Sequence, residues 1–219
     1  ITDREAVDAW AGSVNEHFGG CGVLINNAGI TILASFEDHR IEDWERVLGI
    51  NLWGPIYCTK AFLPMLTQSQ GVIVNISSAF GIVAPPGQAA YAASKYALRG
   101  LSEVLWEELR SEGVCVTSVH PGGISTKIAE RGLVRNPLWH AHVQKTIVPF
   151  FKRRAMPADK AADLILRAIE RRQPRLILGW DSWVFDWLKR LFPVLGNYLV
   201  YRQLHRMFRL SDMEDERGR

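Results

Sequence analysis

Tyr91 and Lys95 stand four positions apart in the stretch Tyr91-Ala92-Ala93-Ser94-Lys95, with only small residues between them. On a helix this spacing puts a phenol and an ammonium on one face, within reach of a common point. A phenol of pKa about 10 is a poor base at neutral pH. A neighbouring cation favours the phenolate and lowers that value, at about 1.4 kcal/mol per pH unit. A tyrosine tuned in this way can act as a general acid or base. The same spacing also occurs on ordinary helix surfaces, so the pair takes its meaning from its neighbours.

Ser78 lies thirteen positions before Tyr91, just after the apolar run 72–76. A serine nucleophile would need an adjacent base, and the hydrolase elbow Gly-x-Ser-x-Gly is missing because Ser77-Ser78-Ala79-Phe80-Gly81 lacks the first glycine. A serine that only donates a hydrogen bond to a substrate oxygen needs no base. Asn51 interrupts an apolar helical stretch, Ile50-Asn51-Leu52-Trp53-Gly54. Asparagine is unfavourable inside a helix and, if buried, must find polar partners.

Asn26-Asn27-Ala28-Gly29 ends another apolar run, either as a plain turn or as a floor of small residues beneath a ligand. Pro121-Gly122-Gly123-Ile124-Ser125-Thr126 follows a third run. Its glycines let backbone approach a ligand, and Thr126 offers a hydroxyl at a helix start; a loop with an N-cap explains the same residues. His120 packs or hydrogen-bonds beside that loop. His140 and His142 have no carboxylate or cysteine at a recognisable ligand spacing, so no metal site is expected.

The elements that must position these residues are legible. Short β-branched runs at 23–25, 72–76, 114–119 and 175–178 do not alternate in polarity, as expected for strands buried on both faces of a parallel sheet. Helical patterns cover 3–18, 41–68, 89–111 and 157–171, and 121–156 reads as an extended loop with short helices. Strand–helix alternation predicts a wound α/β fold, in which ligands bind beyond the C-terminal ends of the strands. Every motif above falls at such an end.

The 219 residues carry a net charge of +3 and three scattered cysteines without metal spacing, which argues against nucleic acid as a partner and for reduced thiols in a cytoplasmic setting. No apolar run reaches the length of a membrane span. The charge is uneven: residues 1–150 hold 11 Lys/Arg against 14 Asp/Glu, whereas 151–210 hold 13 against 5.

Taken in order, Asn26-Asn27-Ala28-Gly29, Asn51, Ser78, Tyr91-x-x-x-Lys95 and Pro121-Gly122 resemble the classical short-chain dehydrogenase/reductase family over roughly residues 1–180. The resemblance implies an NAD(P)-dependent oxidoreductase interconverting a secondary alcohol and a ketone. Tyr91 would be the proton donor or acceptor and Ser78 would bond the substrate oxygen. Lys95 would lower the tyrosine pKa and bind the nicotinamide ribose, and Asn51 would hold a relay water. Asn27, Ala28 and Gly29 would lie along the cofactor, with the Ile124 backbone and Thr126 at the carboxamide or phosphate; Ser77 would be structural.

The family's Gly-rich phosphate turn is absent from the sequence, and Ile1-Thr2-Asp3 resembles the segment after the family's third strand. The expectation is a Rossmann-like doubly wound parallel sheet lacking its first two βα units, on the order of 60 residues. Residues 1–178 would form this partial catalytic domain and 179–219 a helical extension. Weak NAD or NADP binding follows as an expectation, and a non-catalytic scaffold of the same fold is the alternative reading. The family also implies a homo-oligomer built on the helices at 41–68 and 89–111.

The C-terminal stretch has its own pattern. Trp180, Trp183, Val184, Trp187, Leu188 and Leu191 recur at helical spacing, and Pro193 ends or kinks that helix. A second stretch combines Leu199, Leu204 and Phe208 with Arg202, Arg206 and Arg209. The extension is expected to pack over the substrate loop or a partner subunit, or to touch a membrane surface through its tryptophans and arginines. Its aromatic content points to a bulky apolar substrate of lipid, steroid or retinoid type.

Overall fold

The β-branched runs do form the strands. A computed structural model describes residues 1–149, 153 and 155–207. In it β1 (Val23–Asn26), β3 (Val72–Ile76), β4 (Cys115–Pro121) and β8 (Arg175–Leu178) make one parallel sheet in the order β1-β3-β4-β8. Two further parallel pairs join β2 (Ile32–Leu33) to β6 (Leu133–Val134) and β5 (Ile124–Ser125) to β7 (Met156–Pro157). They fold the region read as loop back onto the ends of the main sheet. Residues 150–152 and 154 of that region, and Phe208 and Arg209 of the C-terminal stretch, lie outside the described residues.

Helices cover both faces of the sheet. On one, α1 (Arg4–Phe18), α3 (Gly54–Gln68) and α4 (Ala89–Leu109) bury Val7, Phe62, Leu66 and Leu109 against Leu24, Ile73 and Val116. On the other, Ala161, Leu164 and Ile165 of α7 (Ala158–Glu170) pack on Val72, Val74, Cys115 and Val119. Helix α1 begins where Asp3 Oδ1 accepts the Ala6 N–H at 3.0 Å and ends at Gly19, whose φ of 71° is the left-handed stop that glycine adopts without strain.

Two expectations are corrected. Strands β3 and β4 are buried on both faces, but β1 alternates, with Val23 and Ile25 exposed. It is the edge strand, and the helix layer contributed by α7 stops over β3, β4 and β8. The single helix expected over 41–68 is instead α2 (Ile41–Leu48), a π-turn at Gly49–Trp53 and α3. The widened turn sits between Gly49 and Gly54 and carries Asn51 into the interior. Inserting one residue into a helix at such a point is a recurrent feature of functional sites.

A row of polar side chains crosses the interior. Asn26 pairs with Asn75 in register, and Asn26 Nδ2 donates to Asn75 Oδ1 at 2.8 Å and to Thr59 Oγ1 at 3.2 Å. Asn75 Nδ2 in turn donates to Ser102 Oγ at 3.0 Å. These fully bonded groups tie α3 and α4 to fixed heights on the sheet.

The C-terminal helices α8 (Trp180–Leu191) and α9 (Pro193–Met207) pack on the segment that follows β3. Phe185, Leu188 and Val200 meet Ala79, Phe80, Ile82 and Val83. The extension therefore packs back on the domain, at residues 79–83 and at Ile147. The remaining short helices are α5 (Ile128–Arg131) and α6 (Pro137–His142).

Candidate active site

The loop after β3 and the first turns of α4 meet because Gly81 has no side chain. A Cβ there would lie 2.5 Å from Ser77 Oγ and 2.8 Å from the Lys95 carbonyl oxygen. Ser77 Oγ closes the contact by donating to Lys95 O at 2.9 Å, a structural role. Ser78 is thereby held beside Tyr91, close enough for its hydroxyl to oppose the effect of burial on the phenol. Ser78 Oγ also accepts the Phe80 N–H at 3.1 Å, and the Phe80 ring stands edge-on to Tyr91 with centroids 6.3 Å apart.

Lys95 is buried one turn further along α4. Its Nζ donates to the Ile76 carbonyl at 2.8 Å and lies 5.6 Å from the centre of the Tyr91 ring. Burial pulls its pKa from 10.5 down to about 8. Burial likewise pushes the Tyr91 phenol up, with the neighbouring Ser78 hydroxyl opposing it. In this arrangement the Lys95 ammonium is turned to a strand carbonyl, and burial and Ser78 rather than Lys95 set the direction of the Tyr91 pKa.

Asn51 is completely buried, and both its amide oxygen and its amide nitrogen are hydrogen-bonded. Oδ1 accepts the Ile30 N–H at 2.9 Å, while Nδ2 donates to Ile30 O and to Ser94 Oγ, each at 3.0 Å. It therefore clamps the end of the Asn27–Gly29 loop to α4, between Tyr91 and Lys95. A Cβ on Gly29 would sit 3.4 Å from Lys95 Nζ and 3.5 Å from Asn51 Oδ1, so this loop runs directly beside the lysine. Asn27 and Ala28 are open to solvent at the strand end.

Ile124 and Thr126 follow β4 at the same edge of the sheet but bond to neither Tyr91 nor Lys95. Ile124 packs half-buried near Ile76 and Met156, and Thr126 is exposed. Thr126 does not cap a helix as expected: α5 starts after Lys127, and the Thr126 hydroxyl accepts the Ile128 N–H at a long 3.5 Å. Of the preceding glycines, Gly123 is held by the extension, its N–H donating to Asp181 Oδ2 at 3.0 Å, and Gly122 by β8, its N–H donating to Leu178 O at 2.8 Å.

Three features support the site: His120, read from the sequence as a packed or hydrogen-bonded residue, and Gly81 and the Asn26–Asn75 pairing, which the sequence reading did not anticipate. His120 is fully buried, with burial pulling its pKa to about 4, and so is neutral. Its Nδ1 lies 3.4 Å from the Ser78 carbonyl, which can only accept, leaving Nε2 to take the Ser118 hydroxyl proton at 3.1 Å. Gly81 had no signal beyond its type. The Asn26–Asn75 row did have one, an asparagine in each of two strands otherwise made of β-branched and aliphatic residues.

Comparison with known proteins agrees with this geometry. The sequence model described as short chain dehydrogenase matches residues 1–133, the part that contains Asn51, Ser78, Tyr91 and Lys95. The chain belongs to the short-chain dehydrogenase family. This short-chain dehydrogenase is 39% identical over 213 residues to SadH of Mycobacterium tuberculosis, an oxidoreductase by assignment, covering 95% of the chain and 76% of that protein. It is 38% identical over 141 residues to a trans-4-hydroxycyclohexanecarboxylate dehydrogenase of Sinomonas cyclohexanicum, covering 63% of the chain and 54% of that protein. The crystal structure of a short chain dehydrogenase/reductase from Burkholderia phymatum in complex with NAD superposes with a TM-score of 0.78 at 25% identity, covering 89% of this chain and 74% of that one.

Proposed function

We propose that this short-chain dehydrogenase interconverts a secondary alcohol and a ketone with NAD or NADP, using Tyr91 as the proton donor or acceptor. The observation that carries the reading is the convergence of Ser78, Tyr91 and Lys95 beyond the strand ends, with Phe80 touching both Ser78 and Tyr91 and Lys95 Nζ 5.6 Å from the phenol ring. A carbonyl oxygen placed between the two hydroxyls would accept from both. Ser78 holds that oxygen and Tyr91 passes its proton to it, or takes one back in the reverse direction.

The site suits a nicotinamide nucleotide. Asn27, Ala28 and Gly29 present open backbone beside Lys95, whose ammonium has one partner, Ile76 O, and two further protons for ribose hydroxyls. Ile124 and Thr126 would meet the carboxamide or phosphate end. The nicotinamide, when bound, supplies the two-electron acceptor or donor. A water that recharges Lys95 would rest on the main chain of the π-turn, since the Asn51 side chain is already committed.

The substrate reading is a bulky apolar alcohol or ketone. It is supported by Phe80 standing over Tyr91 and by the apolar cluster of Ile82, Val83, Ile147 and Phe185 next to it. Self-association is supported by a stripe of exposed small residues on α4, Ala93, Ala97 and Gly100, continued by Val104; light scattering on Ala97→Glu tests it, and an unchanged mass would remove it.

The test of the function is turnover on a panel of secondary alcohols and ketones. Tyr91→Phe should lower kcat by about 10²–10⁴ with nucleotide affinity preserved. Activity near that of the wild type would sink the proton-transfer role, and a preference for small polar sugars would sink the apolar substrate.

A further inference from the structure

We propose that the outward face of the α8–α9 hairpin seats the protein on an anionic lipid surface. Helix α8 buries polar residues beside Phe185 and leaves its tryptophans in water. Its inner face holds Ser182 and Asp186, both buried, with Asp186 bonded to Arg175 and Arg190. Asp181 is also turned inward, to the Gly123 amide. The outer face carries Trp180, Trp183, Trp187 and Leu191, which are 73%, 50%, 57% and 62% exposed. A helix resting on a globular core normally buries such a stripe.

The stripe is large. At roughly 200 Å² per tryptophan, the three indoles alone leave on the order of 350 Å² of ring surface in water, already the size of the largest apolar patch on a typical monomer. Phe192, Leu195 and Tyr198 extend it across the turn into α9.

The charges decide between a bilayer and a second copy of the chain. Residues 180–207 contain two carboxylates, Asp181 and Asp186, and both are bonded inward. Arg190, although paired with Asp186, is 57% exposed, and Arg202 is exposed on α9. Two such faces brought together would oppose cation to cation, with no exposed acid among the described residues of the hairpin. An anionic headgroup layer is complementary, and tryptophan and tyrosine favour that boundary. Among the described residues no helix is long and apolar enough to cross a membrane, so the contact is peripheral. The seat lies over the catalytic loop, because Phe185 and Val200 pack on Ala79, Ile82 and Val83.

Sedimentation of the full chain with vesicles tests the proposal. Vesicles of phosphatidylcholine with about one third phosphatidylglycerol should carry the protein down. Binding should be several-fold weaker on pure phosphatidylcholine or in about 0.5 M NaCl. The double substitution Trp183→Gln/Trp187→Gln should lower partitioning by roughly tenfold with an unchanged far-ultraviolet circular dichroism spectrum. The proposal is overturned if the wild type stays in the supernatant with both vesicle types, or if the double variant binds as well as the wild type. It is equally overturned if the two tryptophans prove to be buried in a dimer that the substitution returns to monomers. No turnover is measured, so the outcome is independent of the oxidoreductase reading.

Discussion

Replacing Lys95 with methionine should make the protein more stable at neutral pH, and less stable at high pH. Burial lowers the lysine pKa from 10.5 to about 8. At about 1.4 kcal/mol per pH unit, holding the ammonium in the interior costs about 3 kcal/mol wherever it is charged. Lys95→Met removes that cost but leaves Ile76 O without its 2.8 Å donor, a loss of about 1–2 kcal/mol. The balance at pH 7 is about 1–2 kcal/mol in favour of the variant, a rise in Tm of roughly 2–6 °C for a chain of this size. Between about pH 8 and 10.5 the unfolded wild type binds the extra proton, so wild-type stability rises through that window relative to the variant. By pH 10.5 the neutral amine still donates to Ile76 O, and the wild type should lead by about 1–2 kcal/mol. Paired urea titrations across pH 7–10.5 measure the crossing. A difference between the two proteins that does not change with pH would refute the claim that the ammonium is held desolvated.

Asn51→Ala removes three buried hydrogen bonds and should destabilise the fold by about 2–4 kcal/mol, whereas Ser94→Ala, which removes one of them, should cost about 1 kcal/mol by urea denaturation. Gly81→Ala would force Ser77 and the α4 backbone apart, so a loss of about 1–3 kcal/mol together with a drop in kcat is expected; kinetics like the wild type would show that the contact yields freely. Burial alone would raise the Asp186 carboxyl, but Arg175 and Arg190 outweigh it and hold the pKa below 3.8. The stability this gives is therefore present above pH 4 and lost as pH falls through the folded value. Asp186→Asn should cost about 2 kcal/mol at neutral pH, allowing for the part-exposed arginines, and thermal melts of the two proteins should converge in acid.

The residues proposed to carry the chemistry were legible because their types are rare in their settings. A serine after a β-branched run, an asparagine inside an apolar helix and a phenol four residues before a lysine each stand out against the pattern around them. The strand and helix periods then placed all of them at one end of a parallel sheet. The break of the 41–68 helix was hidden, because its cause is a long-range demand: Asn51 reaches partners 21 and 43 residues away. His120 behaved the same way, since its bond runs 42 residues back to Ser78.

The sequence by itself determined the parallel α/β plan, the strand ends at which a ligand would bind, and the identity of the Asn51, Ser78, Tyr91 and Lys95 set. Those follow from local periods and residue types, which need no knowledge of distant contacts. Only the tertiary structure decided the protonation behaviour and the orientation of the C-terminal helix. Spacing suggested that Lys95 would lower the Tyr91 pKa, but burial and the Ile76 carbonyl set both groups differently. Periodicity leaves the tryptophan stripe free to pack on the protein or to face outward, and Asp181 and Asp186 set its orientation by bonding to Gly123, Arg175 and Arg190. Polar bonds between residues far apart in the chain fixed which side faces the protein, and hydrophobic periodicity carries no information about them.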